Sequence, residues 1–136
     1  MFKVKIFTIG KCKEAWLLDA LAEYEKRLVH KMEIEWILAK NDLDLSEKLP
    51  RNIPWISLDV KGELIDSPTL SKKIVKQSRL HFLIGGPDGI NSDLLAKSAW
   101  RWSLSPLTFT HQMVRLLLVE QLYRALEIDA GTSYHR

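Results

Sequence analysis

The chain has 136 residues, 46% of them hydrophobic, which predicts one domain over residues 1–136 with ample apolar content for a core. Its single cysteine, Cys12, excludes an internal disulfide. Net charge is +3, and no uncharged apolar run approaches the roughly 20 residues that cross a bilayer, which excludes a transmembrane helix in this stretch.

The first segment, Met1 to Ile9, sets Phe2, Val4 and Ile6 against Lys3 and Lys5, a period of two that predicts a strand. It lacks the continuous apolar run of a signal peptide, so a cytoplasmic protein is expected. In "KEAWLLDALAEYEKRL", Trp16, Leu17, Ala20, Leu21, Tyr24 and Leu28 recur at helical spacing, and an amphipathic helix follows the strand. "MEIEWILA" alternates again as a strand. Asn41 to Leu49 reads as a short helix stopped by Pro50, ahead of the apolar strand "WISLDV". Ser67-Pro68 predicts a helix start, serine as N-cap and proline in the first helical position, with the helix running towards Ser78. Strand "LHFLIG" comes next, then a helix "DLLAKSAWR" capped by Asn91 or Ser92. A short strand and loop in "WSLSPLTFT" precede the longest helix, "HQMVRLLLVEQLYRALEI".

The order β-α-β-α-β-α-β-α-β-α predicts an α/β fold, a mostly parallel sheet with helices on both faces. Ligands in such sheets sit beyond the carboxyl ends of the strands. That singles out the loops after Leu58, after Ile84 and around Ser103 to Thr110.

Charge is unevenly placed. Residues 1–31 hold seven Lys/Arg against four acids, residues 32–66 four against eight, and residues 67–136 nine against five. An acidic middle between basic ends is compatible with a phosphate-bearing partner, and equally with solvated faces. Lys11, Lys13, Lys72, Lys73 and Lys76 are the candidate phosphate contacts. Trp100, Arg101 and Trp102 could stack on a base, although core packing with one exposed arginine is the expected arrangement. No Cys/His cluster has metal-ligand spacing.

"HFLIGGPDGINSDLLAKSAW" breaks a strand at Gly85, Gly86 and Gly89. It is not a dinucleotide fingerprint, since Pro87 intervenes and Phe109 stands where an acidic residue belongs; no Lys-Ser or Lys-Thr follows as a P-loop requires. By itself the stretch is a tight turn or the floor of some other ligand site.

In the last helix, Val114, Leu117, Leu118, Val119, Leu122, Ala125 and Leu126 cover most of the circumference, opposite a strip of Glu120, Arg124 and Glu127. A helix so apolar is buried on two sides, and a homodimer through it is expected. Arg115 falls among the apolar residues, either paired within that interface or pointing into a site. His111 either caps this helix, the expected role, or faces a cleft. His30 is expected on the surface and His81 within the sheet.

Taken together, "LIGGPDG", "SLSPLTFTH", "VRLLLVEQLYRA" and the closing "YHR" resemble the RlmH family of bacterial ribosomal RNA methyltransferases, in the SPOUT superfamily. "IGK" at Ile9 to Lys11, "EYEKRL" at Glu23 to Leu28 and "LDVKGE" at Leu58 to Glu63 extend the resemblance over nearly the whole chain. It implies an α/β domain whose C-terminal part is tied in a trefoil knot, a rare exception to unknotted topology. It further implies S-adenosyl-L-methionine as methyl donor, with no metal. Donor-binding positions carry over onto Leu58, Gly85, Leu104, Ser105, Pro106, Leu107, Thr108 and Phe109. The implied activity is methylation of ring nitrogen 3 of a pseudouridine in 23S ribosomal RNA, on the assembled ribosome. Another RNA substrate and a non-catalytic ribosome-binding module are the alternatives.

By the same resemblance the tail supplies the catalytic candidates and crosses the dimer interface to complete the neighbour's pocket. Tyr134 packs or stacks on the base, His135 binds RNA or handles the proton, and Arg136 contacts phosphate or base. Three features depart from the family pattern. The segment Lys40 to Pro54 is shorter, Thr110 stands where proline often precedes His111, and Ser133 where proline often precedes Tyr134.

Overall fold

The structure, a computed structural model, describes residues 1–136. Ten elements alternate: β1 Phe2–Ile9, α1 Ala15–Leu28, β2 Met32–Ala39, α2 Asp42–Lys48, β3 Ile56–Leu64, α3 Ser67–Ile74, β4 Arg79–Leu83, α4 Ser92–Ala96, β5 Trp100–Ser103 and α5 His111–Ala130. The five strands form one sheet in the order β2-β1-β4-β3-β5, every pairing parallel. This is the α/β architecture that the alternating periods predict.

Central strands are buried on both faces, so their side chains split between two cores. Val4 and Ile6 of β1 and Leu80 and Phe82 of β4 pack beneath α1, α3 and α5, with Leu17, Leu21, Leu70, Ile74, Leu118, Leu122 and Leu126. Phe7 and Leu83 face the other way, against Leu45 of α2, Leu49, Trp55 and Leu94 of α4. Each such side chain, fully buried, contributes about 1.5–3 kcal/mol. The short segment from Lys40 to Pro54 therefore still supplies a helix that seals the second face. Asn41 caps that helix through its side-chain oxygen, which accepts from Asp44 N at 2.9 Å.

The start of α3, the end of α4 and the start of β5 differ from the expected boundaries. Asp66, not Ser67, caps α3, its Oδ1 accepting from Thr69 N at 2.9 Å. Ser67 is thereby free to donate from Oγ to Gln121 Oε1 at 2.7 Å, and Ser71 Oγ donates to Ala125 O at 2.6 Å, tying α3 to α5. The expected fourth helix ends at Ala96, because Trp100 and Arg101 are drawn into β5 alongside Ile56 and Ser57. Trp102 is buried and stacks on half-buried Trp100, centroids 5.6 Å apart, while Arg101 is exposed, as core packing predicts. On α1, Leu17, Leu21 and Leu28 are buried but Trp16 remains exposed.

α5 lies between α1 and α3 over the sheet, so two helices of the same chain cover much of its apolar circumference. No helix is long and apolar enough to cross a membrane.

Candidate functional site

Beyond the carboxyl end of β4, and beside β3 where its register against β5 shifts after Leu58, two loops and the first turn of α5 enclose a cleft of about 520 Å³. Leu58 to Val60 form one wall, Ile84 to Gly86 and Gly89 to Ile90 the second, and Leu104 to His111 with Val114 the third. Of the eight positions expected to bind a ligand here, Leu58, Gly85, Leu104, Ser105, Leu107, Thr108 and Phe109 all line this cleft. Pro106 does not; it is exposed outside the lining.

The glycine stretch is a tight turn and a cleft wall at once. Gly89 N donates to Gly86 O at 3.0 Å, with Pro87 and Asp88 between them and Gly89 at φ +82°. A Cβ on Gly85 would lie 2.6 Å from the carbonyl carbon of Gly89, so only glycine lets the turn fold back on the strand end. Facing it, the Ser105 hydroxyl accepts from Leu107 N at 3.0 Å, and Ser103 Oγ donates to Ser105 O at 3.0 Å. These bonds hold Leu107 and Phe109 exposed at the rim, 71% and 41% accessible, where a ligand's apolar surface would cover them.

Thr110, not His111, caps α5: its Oγ1 accepts from Met113 N at 3.2 Å. A proline could not make that bond, so the departure from the family pattern provides a cap. His111 is instead the first helical residue and lines the cleft, its pKa pulled down by burial and then by Arg115. Both effects favour the neutral imidazole. Asp59, which the sequence reading did not single out, also lines the cleft, and its carboxylate accepts from Lys61 N at 3.1 Å. Its place directly after Leu58, where a cleft-facing segment was expected, was the available signal.

Arg115 is 1% exposed, yet no carboxylate pairs with it. Its Nη2 donates to Ile9 O at 3.0 Å and Gly10 O at 2.8 Å, while Gln112 Nε2 donates to Lys11 O at 3.3 Å. Neither expected role is what the chain shows: the guanidinium ties α5 to the end of β1.

The tail lies back along its own helix. Gly131, at φ +73°, ends α5. The Tyr134 ring packs edge-on against Tyr123, 4.7 Å between centroids, with the Arg124 guanidinium 4.9 Å from its centre. Tyr134 Oη donates to Glu120 Oε1 at 3.0 Å, and Arg124 Nη1 lies 3.1 Å from His135 Nδ1. A guanidinium only donates, so Nδ1 is the acceptor and the neutral ring carries its proton on Nε2. Burial, then Tyr24 and Glu120, push the Tyr134 phenol well above its ordinary range. His135 lines a neighbouring cavity that shares Leu104, Ser105 and Phe109 with the cleft. Arg136 is exposed.

The family model described as "Predicted SPOUT methyltransferase" matches residues 2–135. A protein of Protochlamydia amoebophila named ribosomal RNA large subunit methyltransferase H is 43% identical, with all of both chains covered. One of the same name from Desulfotalea psychrophila is 38% identical over 98% of this chain and 99% of its own. Among solved structures, a probable methylase family protein from Haemophilus influenzae superposes with TM-score 0.62 at 11% identity, covering 98% of this chain and 70% of that one. TrmJ from Z. mobilis ZM4 superposes with TM-score 0.54 at 7% identity, covering 91% of this chain and 69% of that one. These two likenesses show the fold.

Proposed function

The chain belongs to the SPOUT methyltransferase family, among the ribosomal RNA large subunit methyltransferase H proteins, and from that premise we propose that it methylates ring nitrogen 3 of a pseudouridine in 23S ribosomal RNA on the assembled ribosome. It is an S-adenosylmethionine-dependent methyltransferase of large-subunit ribosomal RNA. The observation that carries the finer reading is the convergence of Leu58, Gly85 and the loop from Leu104 to Phe109 on one cleft.

The cleft suits the donor. Its volume of about 520 Å³ lies within the ~300–1,000 Å³ of small-molecule sites. Leucines offer an apolar slot, and Gly85 keeps the backbone close. Leu58, Gly85, Leu104, Ser105, Leu107, Thr108 and Phe109 would hold the donor, with Pro106 stiffening the loop from outside. The bound sulfonium supplies an electrophilic methyl group. The protein's own task is to hold the nucleophilic nitrogen in line with it, an effect worth roughly 7–11 kcal/mol, and to let the imide proton leave. His111, which lines the cleft and whose burial favours the neutral ring, is available to take that proton. Tyr134, held neutral against Glu120, packs against the base. His135 presents Nε2–H to a base carbonyl, and Arg136 meets phosphate.

The partners in this reading are the ribosomal RNA and a second copy of the chain, paired through the outer face of α5. Leu64, Leu107 and Phe109 are exposed, and Leu117 of α5 is half-buried close by. Pairing would cover this apolar rim, and the tail, already beside the cleft wall, would reach the neighbour's pocket. The C-terminal trefoil knot, the single domain and the cytoplasmic location belong to the same proposal.

The test is transfer of labelled methyl from S-adenosylmethionine to ribosomes that carry the pseudouridine without its methyl group, beside ribosomes lacking the pseudouridine. Incorporation into the first alone is the expected result. Incorporation into neither, from folded protein that binds the donor, would overturn the assignment of substrate.

A further inference from the structure

His111 opens α5 in the wall of the donor cleft, and the residue after it determines what the ring can offer there. Gln112 reaches across to the loop after β1, where its Nε2 donates to Lys11 O at 3.3 Å. The same nitrogen lies 3.3 Å from His111 Nε2. An amide nitrogen carries two hydrogens and accepts nothing, so one serves the carbonyl and the other meets the ring. His111 Nε2 is therefore the acceptor. A neutral imidazole that accepts at one nitrogen carries its proton on the other, which places it on Nδ1.

The amide is held in this sense. Turned over, it would set its oxygen against the Lys11 carbonyl oxygen and leave an N–H where Oε1 now lies, closed off without a partner. Lys11 O is itself kept in place, because Arg115 Nη2 binds the two carbonyls before it, Ile9 O and Gly10 O. A buried amide oxygen left unpaired destabilises the fold, and its retention calls for a use of the N–H groups beside it. His111 Nδ1 also has no partner in the protein, but it is not closed off as Gln112 Oε1 is. The charged groups around the ring are Arg115, one turn further along α5, and Asp59 on the facing wall, whose carboxylate accepts from Lys61 N. Arg115 disfavours a charged ring, and a proton on Nε2 would also confront the Gln112 N–H.

We propose that Gln112 is a positioning residue for methyl transfer, holding His111 as the Nδ1–H tautomer so that the ring donates a hydrogen bond to a carbonyl oxygen of the target base. This rests on the methyl-transfer reading and narrows the part of His111 within it. When the imide proton leaves ring nitrogen 3 for water, negative charge spreads onto the two flanking carbonyl oxygens, and an N–H aimed at one of them favours that loss. The other oxygen is left for Nε2–H of His135. Taking the proton on the His111 ring instead needs the Nε2 lone pair, which Gln112 already engages. Of the two roles open to His111, acceptor and donor, Gln112 selects the donor.

The test reads the tautomer by long-range proton–nitrogen NMR of the full-length protein with isotope-labelled histidine, at a pH where the rings are neutral. His111→Asn identifies the His111 signals. The proton is expected on Nδ1 in the wild type and on Nε2 in Gln112→Glu, whose carboxylate accepts there. Gln112→Leu only removes the bond and should give a mixture. Methyl transfer to ribosomes should fall about tenfold in kcat in both variants, with donor affinity unchanged. Nε2–H in the wild type, a tautomer unchanged in both variants, or a shifted tautomer with unchanged kcat would overturn the role. A kcat that rises in Gln112→Leu would also overturn it, assigning proton uptake to the freed Nε2. A wild type that binds donor and methylates no ribosome sinks the methyl-transfer reading and the role with it, whereas the other outcomes sink the role alone.

Discussion

Arg115 reaches across from the final helix to the end of the first strand, its Nη2 2.8 Å from the carbonyl oxygen of Gly10. Because the same atom also serves Ile9 O, one buried side chain satisfies two acceptors that the sheet leaves open at its carboxyl edge. Arg115→Met removes both bonds and is expected to lower stability by about 1–3 kcal/mol. A urea midpoint that stays level or rises would show that relief of arginine desolvation outweighs the lost bonds.

Gly85 tests the cleft wall. In Gly85→Ala the new methyl meets the Gly89 carbonyl carbon at 2.6 Å, a backbone atom with no rotamer to escape into. Overpacking of this kind costs about 1–3 kcal/mol. Donor affinity should fall more than that of Gly86→Ala, where the nearest contacts are Ile9 side-chain atoms at 3.4 Å. Calorimetric titration of the two variants with S-adenosylmethionine compares them.

Tyr134 gives the tail a pH dependence. Its folded-state pKa is raised, first by burial and then by hydrogen bonding with Tyr24 and Glu120. Its contribution to stability is therefore complete below the ordinary phenol value of about 10 and is lost as pH rises through the higher folded value. Ultraviolet titration should show a late-ionising tyrosine that disappears in Tyr134→Phe. If the variant keeps the late component, Tyr123, also raised by burial, is its source.

His135 separates positioning from proton transfer. Arg124 occupies Nδ1, so Nε2–H is the outward group. His135→Ala is expected to reduce methyl transfer at least tenfold, about the 1.4 kcal/mol of one hydrogen bond, while donor affinity holds. His135→Asn, which still offers an N–H, should recover part of the rate. Equal loss in both variants would point to proton transfer by the imidazole.

Thr110 tests the helix cap. Thr110→Val removes the hydroxyl that accepts from Met113 N and should destabilise the protein by about 1 kcal/mol. Thr110→Ser should retain most of that, as thermal melts of the pair would show.

Periodicity, with caps and proline stops, determined the ten elements and their order, because these are local properties of the chain. The carboxyl-end rule placed the candidate loops, since any parallel sheet opens there. What the sequence left undecided depends on neighbours distant in the chain. Trp100 joins β5 rather than prolonging α4 because Ile56 stands ready to pair with it, 44 positions earlier. Arg115 among apolar residues pointed to an interface or a site until the fold set the Ile9 and Gly10 carbonyls beside it, 106 and 105 residues away. Ser67 loses the cap to Asp66 and finds Gln121 instead, and His111 yields the cap to Thr110 and turns to the cleft. That His81 Nδ1 is left without a partner is visible only in the folded sheet. Local patterning determined which segments are helix and strand; only tertiary contact decided which polar atoms are satisfied, and by what.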